Sequence, residues 1–150
     1  MRIVGFLRPE SIIADLDGRA IEEVRAEIGR PLTAYGLEQG QLPEILLRHE
    51  RLGSTGIGNG VAIPHGSFVG PRGLFAGFGR SRAGIDSHAI DGIPCRFFMS
   101  LLVAQGTAGP DLQALARVGH VFRSIDLRER IYDARNVEDV SRGCRGRFLD

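Results

Sequence analysis

One glycine-rich segment, which ends in a proline and a histidine, constrains this chain more than any other stretch of it. Residues 53–66 read GSTGIGNGVAIPHG and hold five glycines in fourteen positions, which allow tight turns and close backbone approach. The Val-Ala-Ile run predicts a short buried strand, and Pro64 fixes the backbone immediately before His65. The segment therefore predicts a single imidazole presented rigidly from the end of a strand.

The surroundings of His65 favour an anion as its ligand. Peptide N–H groups exposed in glycine-rich turns form concavities that bind anions. A phosphoryl donor or acceptor fits this combination better than a metal ligand or a core residue does. Taken alone, the glycine cluster is also compatible with a tight loop that only connects two elements. The complete motif, which ends in AIPHG, favours a functional site.

Composition and charge exclude several classes of function. The 19 basic and 18 acidic residues give a net charge of +1, which predicts no bulk attraction to nucleic acid or membranes. Every basic residue is Arg, which excludes Walker-A and Schiff-base chemistry because both need lysine. The longest apolar run, residues 97–104, is too short to cross a bilayer. We therefore expect a cytoplasmic protein without nucleic-acid partners or membrane insertion.

Hydrophobic periodicity predicts one α/β domain over residues 1–150. Strands are predicted over residues 61–63, 74–79 and 95–104, and helices over residues 19–28, 42–52, 110–124, 126–134 and 137–144. This order predicts a sandwich with a central mixed β-sheet flanked by helices on both faces. The basic tail is expected to be flexible from about residue 144.

The remaining polar candidates have simpler structural interpretations. Cys95 and Cys144 lack CxxC spacing, so a disulfide framework or a zinc ribbon is not expected. Asp91, with Asp86, flanks a turn, and capping of an Asx turn explains them more simply than catalysis. His120 lies near the end of a predicted helix, where an imidazole interacts with the helix dipole, and His88 is a loop residue.

The segment GSTGIGNGVAIPHG resembles the signature of enzyme IIA domains of the fructose/mannitol class in the bacterial phosphotransferase system. Within that class it is most similar to the nitrogen-regulatory enzyme IIA. Residues 8–24 (RPESIIADLDGRAIEEV) resemble the family's opening, and residues 84–106 (GIDSHAIDGIPCRFFMSLLVAQG) resemble its central segment. The helix at residues 111–118 (DLQALARV) stands where the family has one.

This resemblance implies phosphoryl transfer through a phosphohistidine intermediate. In such domains the histidine of the IPHG motif, here His65, accepts a phosphoryl group from an HPr-like phosphocarrier. Catalysis then depends on positioning and on donors to the phosphoryl oxygens, without a metal or organic cofactor. The phosphate contacts that we expect are backbone N–H groups, hydroxyls and one cation: Gly66, Ser67, Ser54, Thr55 and Arg51.

Two helper positions depart from the family pattern. His49 stands where the family usually has an arginine, and Asp111 stands where it usually has a second histidine. A carboxylate about 4 Å from a phosphoryl group repels it by about 1 kcal/mol or a few. Alternatively, Asp111 accepts a hydrogen bond from one nitrogen of His65 and makes the other nitrogen a better nucleophile.

The sequence keeps two functions open. The first is a phosphoryl carrier that signals to a regulatory target such as a kinase, a transporter or a IIB-type domain. The second is a catalytically degenerate module that binds its target without phosphorylation. A third, minor hypothesis is that His49, His65 and Asp111 together bind a divalent metal ion. In the simplest alternative, His49 and Asp111 only form a hydrogen-bonded or ionic pair with each other.

Overall fold

The computed structural model describes residues 9–30, 32, 56–69, 74–86, 91–104, 113, 117 and 119–148. A short 3-10 turn, Pro9–Ser11, precedes the first strand. The strands are β1 (Ile12–Ile13), β2 (Gly56–Gly58), β3 (Val61–Ala62), β4 (His65–Phe68), β5 (Leu74–Ile85) and β6 (Cys95–Ala104). The helices are α1 (Ile21–Gly29), α2 (Ile125–Asp133) and α3 (Val137–Phe148).

The six strands form one mixed sheet in the order β1-β5-β6-β3-β2, and β4 also pairs with β6. Strand β5 runs antiparallel to β6 along one edge. Strands β3 and β4 both run parallel to β6 and follow one another along its other edge. The predicted mixed sheet is therefore confirmed, with β6 at its centre.

Alternate residues of β6 enter two hydrophobic cores on opposite faces of the sheet. Phe97, Met99 and Leu101 pack in one cluster, whereas Phe98 and Leu102 pack in the other. This alternation follows from the two-residue period of a strand. The first cluster also holds the inward residues of α2 and α3, and the second holds those of α1. The prediction of helices on both faces is thus confirmed.

Two predicted boundaries were wrong. Strand β5 continues to Ile85 instead of ending at Gly79, because it pairs with β6 at Arg80↔Phe97 and, after a shift in register, again at Ile85↔Cys95. Helix α3 continues past the predicted end at residue 144 to Phe148.

Cys144 is a core residue, so its interpretation as part of the tail was wrong. The side chain is 1% exposed and belongs to the cluster beneath α2 and α3. This burial raises the pKa of the Cys144 thiol to about 12, because a thiolate is poorly solvated in apolar surroundings.

The helix predicted over residues 110–124 is described only in part. Residues 113, 117 and 119–121 are helical, and the chain leaves the helix at Phe122. The helix predicted over residues 42–52 lies outside the described ranges. Among the helices that the structure describes, none has the length and apolarity needed to span a membrane.

Arg80 is a charged residue that is completely buried in the fold, with 0% exposure. Its guanidinium donates hydrogen bonds to the carbonyl oxygens of Ile131 at 2.8 Å and Tyr132 at 3.3 Å, and to that of Ala134. It also pairs with Asp15 at 3.1 Å. These carbonyls lie at the C-terminal end of α2, where helix oxygens lack intrahelical partners and carry partial negative charge. Arg80 therefore ties α2 to β5.

Arg82 repeats these contacts at the surface. It donates to Asp15 at 3.2 Å and to the carbonyl oxygen of Ala134 at 3.0 Å, but its side chain is 49% exposed. Burial alone would raise the pKa of Asp15, and the hydrogen bonds and charges of Arg80 and Arg82 outweigh this and lower it.

We predict that Arg80→Met lowers the free energy of unfolding by about 3 kcal/mol, because buried carbonyl groups and a carboxylate lose their donor. Arg82→Met is the matched control, since it removes bonds to the same partners at the surface and should cost less than about 1 kcal/mol. Urea unfolding measures both values. Equal losses in the two variants would contradict the role given to the buried guanidinium.

Candidate functional site

The glycine-rich segment folds as a β-hairpin whose turn needs left-handed backbone. Three consecutive residues have positive φ: Gly58 at 95°, Asn59 at 59° and Gly60 at 76°. Strands β2 and β3 pair through Gly56↔Ala62 and Gly58↔Val61. An Asn-Gly pair is favoured in tight hairpin turns because both residues tolerate positive φ. The glycines therefore serve the hairpin that precedes His65.

Two contacts join the hairpin to the chain that enters β6. The carbonyl oxygen of Gly60 accepts hydrogen bonds from the N–H groups of Arg96 at 2.8 Å and Phe97 at 3.1 Å. Asp91 accepts from the N–H of Asn59 at 2.8 Å through Oδ2, and from the N–H of Ile93 at 3.0 Å through Oδ1. The bond to Ile93 confirms the predicted Asx turn at Asp91. The bond to Asn59, across 32 positions of sequence, was not predicted.

From the hairpin onward, β3 and β4 keep one register along β6. The pairs run from Val61↔Phe97 to His65↔Leu101 without an inserted residue. Pro64 has no N–H to donate, but its carbonyl oxygen accepts from the N–H of Leu101 at 2.9 Å. The proline thus interrupts the strand without shifting it, and His65 opens β4 at a fixed place in the sheet.

The ring of His65 is half-buried, and its Nδ1 lies 2.7 Å from the carbonyl oxygen of Ile63. A carbonyl oxygen only accepts hydrogen bonds, so Nδ1 must carry the hydrogen. In the neutral ring the lone pair then resides on Nε2. The local backbone thereby selects the tautomer in which Nε2 carries the lone pair.

His65 and Ser67 lie on the same face of the sheet, because side chains two residues apart in a strand point the same way. His65 pairs with Leu101, which belongs to the core cluster that α2 and α3 cover. Phe122, just after the partly described helix, belongs to the same cluster. That helix and His65 therefore share one side of the sheet.

The backbone groups of β4 alternate between β6 and the opposite direction. Since the carbonyl of Pro64 bonds to β6, the parallel ladder also directs the backbone groups of Gly66 toward β6. The N–H groups of His65 and Ser67 point away from β6. Ser67 is exposed, so its N–H and hydroxyl suit an anion beside the imidazole better than the N–H of Gly66 does.

The other predicted site residues lie outside the described ranges: His49, Arg51, Ser54, Thr55 and Asp111. Their convergence on His65 stays a prediction. Within the described ranges no group of three or more His, Cys, Asp or Glu side chains could hold a metal ion, but two of the three residues of the metal hypothesis are not among them. His120 is exposed near the end of its helix.

The functional residue that sequence reasoning missed is Ile63, through its carbonyl oxygen. Its side chain is buried and reads as an ordinary strand residue. The one sequence feature that pointed to this carbonyl was the proline that follows it. The fixed φ of Pro64 limits where the ring of His65 can lie relative to the carbonyl of Ile63. Asp91 was interpreted only locally, since no sequence pattern pairs it with Asn59.

Comparison with known proteins confirms the resemblance found in the sequence. The family described as "Phosphoenolpyruvate-dependent sugar phosphotransferase system, EIIA 2" matches residues 5–144. The nitrogen regulatory protein of Bradyrhizobium diazoefficiens is 30% identical over 93% of this chain and 92% of its own length. That of Pseudomonas aeruginosa is 28% identical over 92% of this chain and 91% of its own length.

A solved structure gives the same result. The crystal structure of nitrogen regulatory protein IIA-Ntr from Neisseria meningitidis superposes with a TM-score of 0.87 at 30% sequence identity. The match covers 94% of this chain and 97% of that one. Fold, motif and sequence thus agree, and the chain belongs to the EIIA 2 family of the phosphoenolpyruvate-dependent sugar phosphotransferase system.

Proposed function

We propose that this EIIA-type domain carries a phosphoryl group on Nε2 of His65 and uses it as a regulatory signal. The observation that supports the proposal most directly is the hydrogen bond between Nδ1 of His65 and the carbonyl oxygen of Ile63. This bond orients the ring and places the lone pair on Nε2, the nitrogen that attacks phosphorus in this proposal.

The donor in this proposal is the phosphohistidine of an HPr-like carrier. Nε2 of His65 forms a bond to phosphorus while the N–P bond of the carrier breaks, and the electron pair of that bond returns to the carrier's imidazole. No oxidant, reductant or net proton is consumed in the transfer. As the new bond forms, positive charge develops on the ring, and the carbonyl of Ile63 stabilises the Nδ1–H that shares this charge.

Ser67 supplies the nearest donors to the phosphoryl oxygens in this proposal. Its hydroxyl lies on the same side of β4 as the imidazole, and its N–H points away from β6. Preorganised donors of this kind account for most of the catalysis in phosphoryl transfer. Ser54, Thr55 and Arg51 complete the proposed anion site, whereas the N–H of Gly66 is engaged by the ladder with β6.

The bond to Ile63 also bears on Asp111. A neutral imidazole has one N–H, and in His65 that hydrogen already faces the carbonyl of Ile63. An orienting bond from the same nitrogen to Asp111 would compete with it, and for this reason we propose the repulsive role for Asp111. A metal ion held with His49 would need the Nε2 lone pair and would compete with phosphoryl transfer.

The partners in this proposal are an HPr-like phosphocarrier and a regulatory target, either a kinase, a transporter or a IIB-type domain. Val69, which follows β4, is 84% exposed. An exposed apolar side chain at the end of the strand that carries the imidazole suits a transient protein contact. The names of the similar nitrogen regulatory proteins support a regulatory role for the phosphoryl group.

Phosphorylation is tested with enzyme I, an HPr-like carrier and phosphoenolpyruvate, followed by intact-protein mass spectrometry. We predict one added phosphoryl group on the wild-type chain and none on the His65→Ala variant. His120→Ala is the matched control and should keep the added mass, because that imidazole lies at an exposed helix end. An unlabelled wild-type chain with several carriers would overturn the proposal in favour of a degenerate binding module.

The tautomer is tested independently by two-bond ¹H–¹⁵N NMR of the imidazole rings in alkaline buffer, where the ring is neutral. We predict a protonated Nδ1 and an unprotonated Nε2 for His65, with the assignment made by loss of the signal in His65→Ala. Exposed His120 should show the tautomer mixture of a solvated ring. A protonated Nε2 in His65 would contradict the role given to the Ile63 carbonyl.

A further inference from the structure

We infer that Asp91 is a positioning residue for the reaction at His65: its carboxylate clamps the hairpin to the start of β6 and thereby sets the backbone that orients the imidazole. The inference rests on the proposed phosphoryl transfer at His65. Asp91 does not touch the reacting atoms, because β3 and β4 place His65 four residues beyond Val61, or roughly 13 Å along the sheet.

The first contact of the clamp stabilises the least favourable residue of the hairpin. Asn59 is the one non-glycine residue with positive φ among those that the structure describes. Its N–H donates to Oδ2 of Asp91 at 2.8 Å. A charge-assisted hydrogen bond of this kind is about twice as strong as a neutral one, which offsets the strain of a left-handed residue.

The fit around this carboxylate is close. A Cβ on Gly58 would lie 3.2 Å from Oδ2 of Asp91, and the φ of 95° at that position also disfavours a side chain. Glycine at position 58 thus admits the carboxylate as well as the turn. The hairpin and Asp91 are complementary in shape.

The second contact holds the chain that enters β6. Oδ1 of Asp91 accepts from the N–H of Ile93 at 3.0 Å, two residues before Cys95 opens the strand. The two N–H donors together lower the pKa of Asp91. One carboxylate therefore joins two segments that are 32 positions apart in sequence, and it does so directly beside the paired hydrogen bonds from Arg96 and Phe97 to Gly60.

The side chain of Ile63 is buried in the core, so what the clamp restrains in this segment is the main chain that carries the Ile63 carbonyl. Ile63 and Pro64 lie between β3 and β4, and Pro64 contributes no N–H. The position of the Ile63 carbonyl is then set from both ends, by the hairpin clamp on one side and by the Leu101 to Pro64 bond on the other. Loosening the clamp lets the Ile63 carbonyl move away from Nδ1.

The test compares Asp91→Ala with Asp133→Ala, which removes an exposed carboxylate from the end of α2. We expect Asp91→Ala to lower the saturating rate of phosphoryl transfer from the carrier about tenfold, as small misplacements of a reacting group do. The KM for the carrier should stay within roughly twofold, because binding energy at the surface is retained. Asp133→Ala should behave as wild type.

The imidazole NMR signature of His65 separates positioning from a merely structural role. Below the melting temperature, Asp91→Ala should mix the two tautomers of His65, and Asp91→Asn should restore part of the wild-type signature because one oxygen still accepts an N–H. A folded Asp91→Ala variant with the wild-type signature and rate would overturn the inference. A rate that falls only with the unfolded fraction would overturn it as well.

Two further outcomes are decisive. If Asp91→Ala does not fold, Asp91→Asn alone decides, since it loses one acceptor and must transfer more slowly than wild type. If the wild-type chain is not phosphorylated at all, the proposed function fails, but the tautomer change in Asp91→Ala still reports whether Asp91 orients the ring. The two failures are therefore distinguishable.

Discussion

Strand β6 is the constraint on which the rest of the described structure depends. It pairs with β5 along one edge and with β3 and β4 along the other. Its side chains pack into both hydrophobic cores. A strand buried on both faces and paired on both edges has little freedom to shift, because a slip of one residue would exchange the two cores. The position of His65 inherits this rigidity through its pairing with Leu101.

Within the part of the chain that the structure describes, backbone groups hold the imidazole of His65. The hairpin determines where β3 starts, the carbonyl of Pro64 holds the register, and the carbonyl of Ile63 selects the tautomer of His65. Asp91, which is distant in sequence, stabilises the hairpin through its hydrogen bond with Asn59.

Local patterns in the sequence predicted much of this arrangement. The apolar run from Cys95 predicted the bounds of β6, and the glycine-rich segment predicted the family. The features of the structure that these patterns did not predict depend on contacts between residues far apart in sequence. The burial of Arg80 was not predicted, because its partners are carbonyl groups on α2. Asp91 was interpreted only locally, because Asn59 is 32 positions away. The tautomer of His65 depends on a carbonyl group, which every residue has.

The central claim is that Nε2 of His65 takes the phosphoryl group while Nδ1 stays bonded to Ile63. The most direct measurement is ³¹P–¹⁵N correlation NMR of the chain phosphorylated with ¹⁵N-labelled histidine. The structure predicts coupling of phosphorus to Nε2 of His65 alone. Coupling to Nδ1 of His65, or to another histidine, would contradict it.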